Sequence, residues 1–198
     1  MIEHQPWVGP RYKDGINEQR IAILGHSHHA SGPEDDPDSD SATIDCMRHI
    51  IAGEWSFKFF NEIQKYFGFD SDPDLWNRVV FMNYLPERVE KLRDGGTTDQ
   101  LDRANKRFLK MLAERKPQKV FVFTKKGWDV LPQSIENEEG SRNGDRPLSP
   151  EFPHFRWCTY KADNQTIYAY ALPHPERANA ETSRRVLEHI LVLPVATG

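Results

Sequence analysis

The sequence has little cysteine, no long apolar run and no excess of positive charge, and each shortage excludes a class of protein. Only Cys46 and Cys158 occur among the 198 residues, and neither belongs to a Cys-x-x-Cys pair. Two cysteines cannot build a disulfide framework, a zinc ribbon or a four-cysteine iron–sulfur cluster. No apolar run approaches the roughly 18 residues that a membrane-spanning helix needs, so no membrane partner is expected.

The charge balance is slightly acidic, with a formal net charge of −4 and an estimated pI of 6.1. Avid, nonspecific binding to nucleic acid needs a basic footprint, which leaves only a local basic groove for such a role. The first residues contain no apolar segment of a signal peptide, so a cytoplasmic protein is expected. The length suits one domain over residues 1–198.

Apolar patterning predicts an α/β fold with a mostly parallel sheet between helices. Short apolar runs bounded by turn residues predict strands over residues 20–25, 78–84, 120–124, 155–160 and 166–172, the last two forming an antiparallel hairpin. Helical periodicity predicts helices over residues 42–53, 57–67, 98–115 and 180–191. Residues 1–19 are predicted to form an irregular N-terminal arm, and residues 133–153 a long loop.

Polar clusters follow four of the predicted strands. They are His26-Ser27-His28-His29, Asn83-Tyr84, Thr124-Lys125-Lys126 and His174-Pro175. Because ligands bind outside the carboxyl ends of parallel strands, we expect these clusters to meet at one edge of the sheet.

Four segments in this order resemble the uracil-DNA glycosylase superfamily, in a divergent branch of it. They are residues 23–29, 80–83, 116–128 and 172–175, and the resemblance spans residues 18–192. It implies a three-layer α/β/α sandwich with a mostly parallel four-stranded central sheet. It also implies a cleft for a base flipped out of DNA, hydrolysis of the N-glycosidic bond of a deaminated base, and no cofactor or metal.

The resemblance gives two residues a role in handling the base. Asn83 matches the asparagine that reads the base edge, since an amide offers both a donor and an acceptor. His174 matches the histidine that donates to the developing base oxyanion. Phe60 and Tyr84 are predicted to contact the base, although helix core is the competing interpretation for Phe60.

The first loop contributes Gly25, His26, Ser27, His28 and His29, with His26 and Ser27 predicted to be catalytic. The best-known branch of the superfamily carries an aspartate two residues after the glycine, where it positions water and stabilises the sugar cation. Ser27 stands there in this sequence. Serine has no charge, so it cannot stabilise that cation directly.

Lys125, Lys126 and Arg177 are the candidate contacts to the phosphate backbone, with solvated surface as the competing interpretation. The predicted partner is single- or double-stranded DNA, or a free nucleobase or nucleotide.

Other functions fit parts of the same pattern. His26-x-His28 has the spacing of metal ligands and, with His174 and an acid from residues 34–40, suggests a metal-dependent hydrolase. A noncatalytic nucleobase-binding module of the same fold would explain Ser27. Ser27 as the nucleophile of a serine hydrolase ranks low, because the second glycine of a nucleophile elbow is missing.

Overall fold

The computed structural model describes residues 3–27, 39–70, 72–89, 95–132 and 143–195. The strands are β1 (Trp7–Val8), β2 (Ile21–Gly25), β3 (Val79–Asn83), β4 (Lys119–Val122), β5 (Asn143–Pro147), β6 (Arg156–Ala162) and β7 (Gln165–Ala171). The helices are α1 (Ala42–Ile51), α2 (Lys58–Tyr66), α3 (Asp74–Asn77), α4 (Thr98–Arg115), α5 (Lys125–Asp129) and α6 (Ala180–Val192), with a 3₁₀ turn at Pro175–Arg177. No helix in these ranges is both long and apolar enough to cross a membrane.

All seven strands join one mixed sheet in the order β1-β3-β2-β4-β7-β6-β5. Strands β3, β2, β4 and β7 run parallel to one another in the middle of the sheet. At the sides, β1 pairs antiparallel with β3, β6 pairs antiparallel with β7, and β5 pairs antiparallel with β6. The predicted α/β class is therefore confirmed, but the sheet has seven strands where the resemblance implied four. The hairpin of β6 and β7 is confirmed as well, with its turn at Asp163 and Asn164.

Two strands lie where the sequence predicted irregular chain. Strand β1 falls in the N-terminal arm and pairs Trp7 with Phe81 and Val8 with Val80. Strand β5 falls in the predicted loop of residues 133–153 and pairs with β6, while residues 133–142 lie outside the described residues. Both strands are held by backbone pairing, and neither has the alternating apolar pattern by which strands are recognised.

Strand β2 is the centre of the fold, and all five of its residues are buried. Ile21 and Ile23 face a core cluster formed with α1, α2, α3 and α6. Ala22 and Leu24 face the opposite cluster, to which α4 and the β6–β7 hairpin contribute. Two buried faces explain why this strand is a continuous apolar run rather than an alternating one.

Helix α4 begins and ends where the sequence predicted, because both of its ends are defined by side chains and backbone geometry. The hydroxyl of Thr97 accepts a hydrogen bond from the Gln100 N–H (3.2 Å), and the Gln100 side chain accepts one from the Thr97 N–H (2.8 Å). This reciprocal capping box satisfies two free donors of the first turn. At the other end Lys116 adopts a left-handed conformation (φ 47°) before Pro117, which ends the helix.

A buried lysine ties α6 to the sheet. Lys119, the first residue of β4, has no exposed surface, and its ammonium donates to the carbonyl oxygens of Ile190 (2.7 Å), Leu193 (2.8 Å) and Leu191 (3.3 Å). Burial lowers the pKa of Lys119 to about 8. The cation completes the last turn of α6, where helix carbonyls lack intrahelical partners.

We expect Lys119→Met to lower the free energy of unfolding by about 1–3 kcal/mol, because it leaves buried helix carbonyls without donors. The matched control is Lys125→Met, since Lys125 is exposed and pairs with Asp129 one turn away. That change should stay within about 0.5 kcal/mol. Urea unfolding of both variants measures the difference, and equal losses would contradict the anchoring role of Lys119.

Candidate functional site

The topology marks one edge of the sheet as the place for a ligand. In chain order the first parallel strand, β2, lies between the second, β3, and the third, β4. The connection from β2 to β3 packs on one face of the sheet, and the connection from β3 to β4 packs on the other. The carboxyl ends of β2 and β4 therefore flank a topological switch point, where open α/β sheets bind ligands.

Asn83 and Gly25 form the floor of this edge. The two residues are partners in the parallel register, and a Cβ added to Gly25 would lie 2.5 Å from Asn83 Oδ1. Asn83 is only 8% exposed, and its backbone carbonyl accepts a hydrogen bond from Arg107 (3.4 Å). Its side-chain amide carries both a donor and an acceptor, which is the pair of groups that a ligand at this edge can use.

Phe59 provides the aromatic wall. Its half-buried ring comes within 3.6 Å of the position of a Gly25 Cβ and stands 5.3 Å from the His174 ring, centroid to centroid. It also makes edge contacts with Phe81 and Phe123, whose ring centroids lie at 6.3 and 6.5 Å. These core rings fix the orientation of Phe59 beside the Asn83 amide.

Phe60, the ring predicted to contact the base, lies in the core. It packs edge-on against Phe81 (5.1 Å) and Trp76 (5.2 Å) and is 9% exposed. Consecutive helix residues point about 100° apart, so α2 turns one of these two rings into the core and the other toward the site. The prediction named Phe60, whereas the geometry brings its neighbour Phe59 to the edge.

Tyr84 is also placed away from the site. It is fully buried, and its hydroxyl contacts Asn105 Oδ1 and the carbonyl oxygen of Val130 (2.9 Å). Successive side chains alternate between the two faces of a sheet, so Asn83 and Tyr84 cannot face the same ligand. The predicted base contact of Tyr84 is therefore corrected to a core role on the opposite face.

His174 stands beside Phe59 at the end of the last parallel strand. Burial lowers its pKa; the charge of Glu176 opposes this shift, whereas Arg177 and His26 reinforce it. Nδ1 accepts a hydrogen bond from the Glu176 N–H (3.4 Å), so the proton of the neutral ring sits on Nε2. His174 is thus a neutral donor at pH 7.

The pairing with the chain after β3 continues one residue beyond β2, to His26. The Tyr84 N–H donates to the Gly25 carbonyl (3.1 Å), and the Leu85 N–H donates to the His26 carbonyl (2.9 Å). Ser27 follows and is 9% exposed. His26 lies close enough to His174 to influence its pKa. His28 and His29 lie outside the described residues.

The three predicted phosphate contacts are exposed on segments that follow β4 and β7. Lys125 and Lys126 open α5, and Lys125 donates to Asp129 Oδ2 (2.7 Å). Arg177 ends the 3₁₀ turn that begins directly after His174. All three therefore stand at the carboxyl edge of the sheet.

The metal-dependent alternative gains no support from this geometry. No group of three or more His, Cys, Asp or Glu side chains that could hold a metal ion occurs in the described ranges. His28 and the acidic residues 34–38 of that hypothesis lie outside them.

Arg107 is a residue of this edge that the sequence analysis missed. Its guanidinium donates to the Tyr84 carbonyl (3.2 Å) and to the Asn83 carbonyl (3.4 Å), beneath the end of β3. A signal was present, because Arg107 falls among Ala104, Phe108 and Met111 on the buried side of α4. An arginine among core positions of an amphipathic helix indicates a specific task.

A scan against protein-family models and a search of curated proteins both find no match to this chain.

We expect Gly25→Ala to displace the Asn83 amide without unfolding the protein. The new Cβ would meet the end of a movable side chain, so the cost should stay near 1–2 kcal/mol. The side-chain NH₂ signals of Asn83 in an NMR spectrum should shift, whereas Gly95→Ala, with no atom within 4 Å of the added Cβ, should leave them in place. Unmoved Asn83 signals in Gly25→Ala would disprove the contact.

We expect His174 to titrate below its usual value of 6.5 and to carry its neutral proton on Nε2, as read from ¹⁵N shifts of its ring. Glu176→Gln should lower the pKa of His174 further, because it removes the charge that favours protonation. A depressed folded-state pKa means that the contribution of His174 to stability is present above pH 6.5 and declines on acidification. A midpoint above 6.5 would contradict this arrangement.

Proposed function

We propose that this chain binds a nucleobase at the carboxyl edge of its sheet and hydrolyses the N-glycosidic bond of a base flipped out of DNA. The observation that carries the proposal is the position of the Asn83 amide, which lies in the space left by the missing side chain of Gly25 on a residue that is only 8% exposed. A uracil-like edge presents an N–H beside a carbonyl oxygen, and an asparagine amide pairs with both.

The residues around Asn83 suit the departure of the base. Cleavage sends the electron pair of the glycosidic bond to the base, leaving a base anion and an oxocarbenium-like sugar. The neutral Nε2–H of His174 can donate to the oxygen on which that anion develops. Phe59, beside His174, offers a face on which the base can stack.

The sugar side of the reaction is served by uncharged groups. Water must add to the sugar carbon, and the proton that it loses neutralises the departed base anion, which leaves a neutral base and an abasic sugar. Ser27 and His26 are the polar residues that follow β2. Because neither supplies a negative charge, the rate depends mainly on how well the departing base anion is stabilised. The proposed substrates are therefore deaminated bases, whose anions are the more stable ones.

Lys125, Lys126 and Arg177 supply positive charge at the same edge in this proposal. Contacts to phosphates position a strand without reading its sequence. A local cationic edge on a chain with a net charge of −4 favours weak, salt-sensitive binding to DNA. In this proposal the base pocket supplies the selectivity.

One observation favours a second candidate, a noncatalytic module that binds a nucleobase. Ser27 leaves the first loop without the carboxylate that would position water and stabilise the cation. Such a module would keep the Asn83 and Phe59 contacts and would bind a base without cleaving any bond.

Incubation with single- and double-stranded DNA containing uracil, hypoxanthine or xanthine, scored for abasic sites, tests the proposal. We expect cleavage that falls by about 100-fold or more in Asn83→Ala and in His174→Ala, since each removes a donor to the developing anion. His154→Ala, a change at an exposed histidine, is the matched control and should retain full activity.

If cleavage is unchanged in both Asn83→Ala and His174→Ala, the assignment of these two residues to the active site is rejected. Binding of the same oligonucleotides without cleavage of any of them would favour the noncatalytic module. If the protein neither cleaves nor binds any of these oligonucleotides, both candidates are excluded.

A further inference from the structure

Arg107 is a partly buried cation with an unusual set of partners. It donates to three backbone carbonyls, those of Asn83 and Tyr84 at the end of β3 and that of His4 in the N-terminal arm. Within the described residues no carboxylate forms an ion pair with it. One turn earlier on α4, Arg103 pairs with both Glu87 and Asp99.

This arrangement is costly, which argues that it has a purpose. Withdrawing a guanidinium from water disfavours its charge, and burial lowers the pKa of Arg107 to about 10, although the charge of Glu3 opposes this shift. The side chain remains protonated at pH 7 and holds its carbonyls with charge-assisted hydrogen bonds.

The end of β3 needs such support because its outer neighbour is short. Strand β1 pairs with Val80 and Phe81, and within the described residues the ladder on that side does not extend to Met82 and Asn83. Arg107 links the carbonyls of Asn83 and Tyr84 to that of His4 in the arm and so supports the backbone that carries Asn83. On the inner side, the Tyr84 and Leu85 N–H groups bond to the first loop.

The third hydrogen bond of Arg107 joins the N-terminal arm to this support. The His4 N–H donates to the Pro86 carbonyl (2.7 Å), and the Gln5 N–H donates to the Asp40 carbonyl (2.6 Å). The arm thus runs from the chain after β3 to the residues before α1. Arg107 sits where the arm, α4 and the end of β3 meet.

We propose that Arg107 is a positioning residue for Asn83, holding the end of β3 through two carbonyls so that the Asn83 amide stays over Gly25. Its catalytic consequence rests on the proposed function, in which Asn83 reads the base. Arg107 acts through Asn83 and does not touch the base.

A double-mutant cycle on cleavage of uracil-containing single-stranded DNA tests this role. We expect Arg107→Met to slow cleavage by about tenfold or more, and the double variant with Asn83→Ala to be no slower than Asn83→Ala alone. Arg107→Lys, which keeps the charge but loses the planar fork, should recover part of the rate. Arg103→Met, on the same helix, is the matched control and should leave the rate within about twofold.

A readout without substrate separates this proposal from the proposed function. In Arg107→Met, the side-chain signals of Asn83 should shift, and the Tyr84 and Leu85 amides should exchange with solvent about tenfold faster or more, whereas Arg103→Met should change neither. Absent cleavage with these changes present would reject the glycosylase and keep the positioning role. Unchanged Asn83 signals, or additive losses in the cycle, would overturn the positioning role even in an active enzyme.

Discussion

The structure depends on the close approach of β2 and β3 at Gly25 and Asn83. Strand β2 is buried on both faces and paired along both edges, so its carboxyl end is the most constrained point of the sheet. Gly25 has no side chain, and the space so left is taken by the Asn83 amide. The loop after β2, the ring of Phe59 and the support from Arg107 are all arranged around that contact. A side chain at position 25 would displace the Asn83 amide from this space.

Much of the fold could be predicted because it depends on patterns of side chains. Most of the buried parallel strands are continuous apolar runs. The residues that begin and end α4, its capping box and Pro117, can be recognised in the sequence. Strands β1 and β5 could not be predicted, since they are held by backbone hydrogen bonds that carry no residue signature. The convergence of polar strand ends was predictable, but its details were not. Because side chains alternate along a strand, Tyr84 lies on the face opposite Asn83 and away from the site. Because consecutive helix residues point in different directions, Phe59 rather than Phe60 lies at the edge.

The site is asymmetric in its chemistry. In the proposed function, the side of the base has an amide, an aromatic ring and a histidine whose pKa is lowered by burial. The side of the sugar has a serine and a histidine, and neither supplies a negative charge. Interactions that strengthen as the base becomes an anion lower the barrier, whereas those that merely hold the substrate do not. The proposed site would therefore discriminate by how readily a base accepts charge, which ties specificity and rate to the same property.

The outer strands of the sheet have a consequence for assembly. Strand β1 has two residues, and β5 has an irregular register, charged residues and Pro147, which has no N–H to give. Short, interrupted or proline-containing borders are how natural sheets avoid recruiting strands from other molecules. These two borders are therefore poor templates for chain-to-chain β pairing, whether in a crowded cell or in a concentrated solution. A macromolecule that binds at these borders must contact side chains and loops, because the edge strands offer few backbone N–H and C=O groups for pairing.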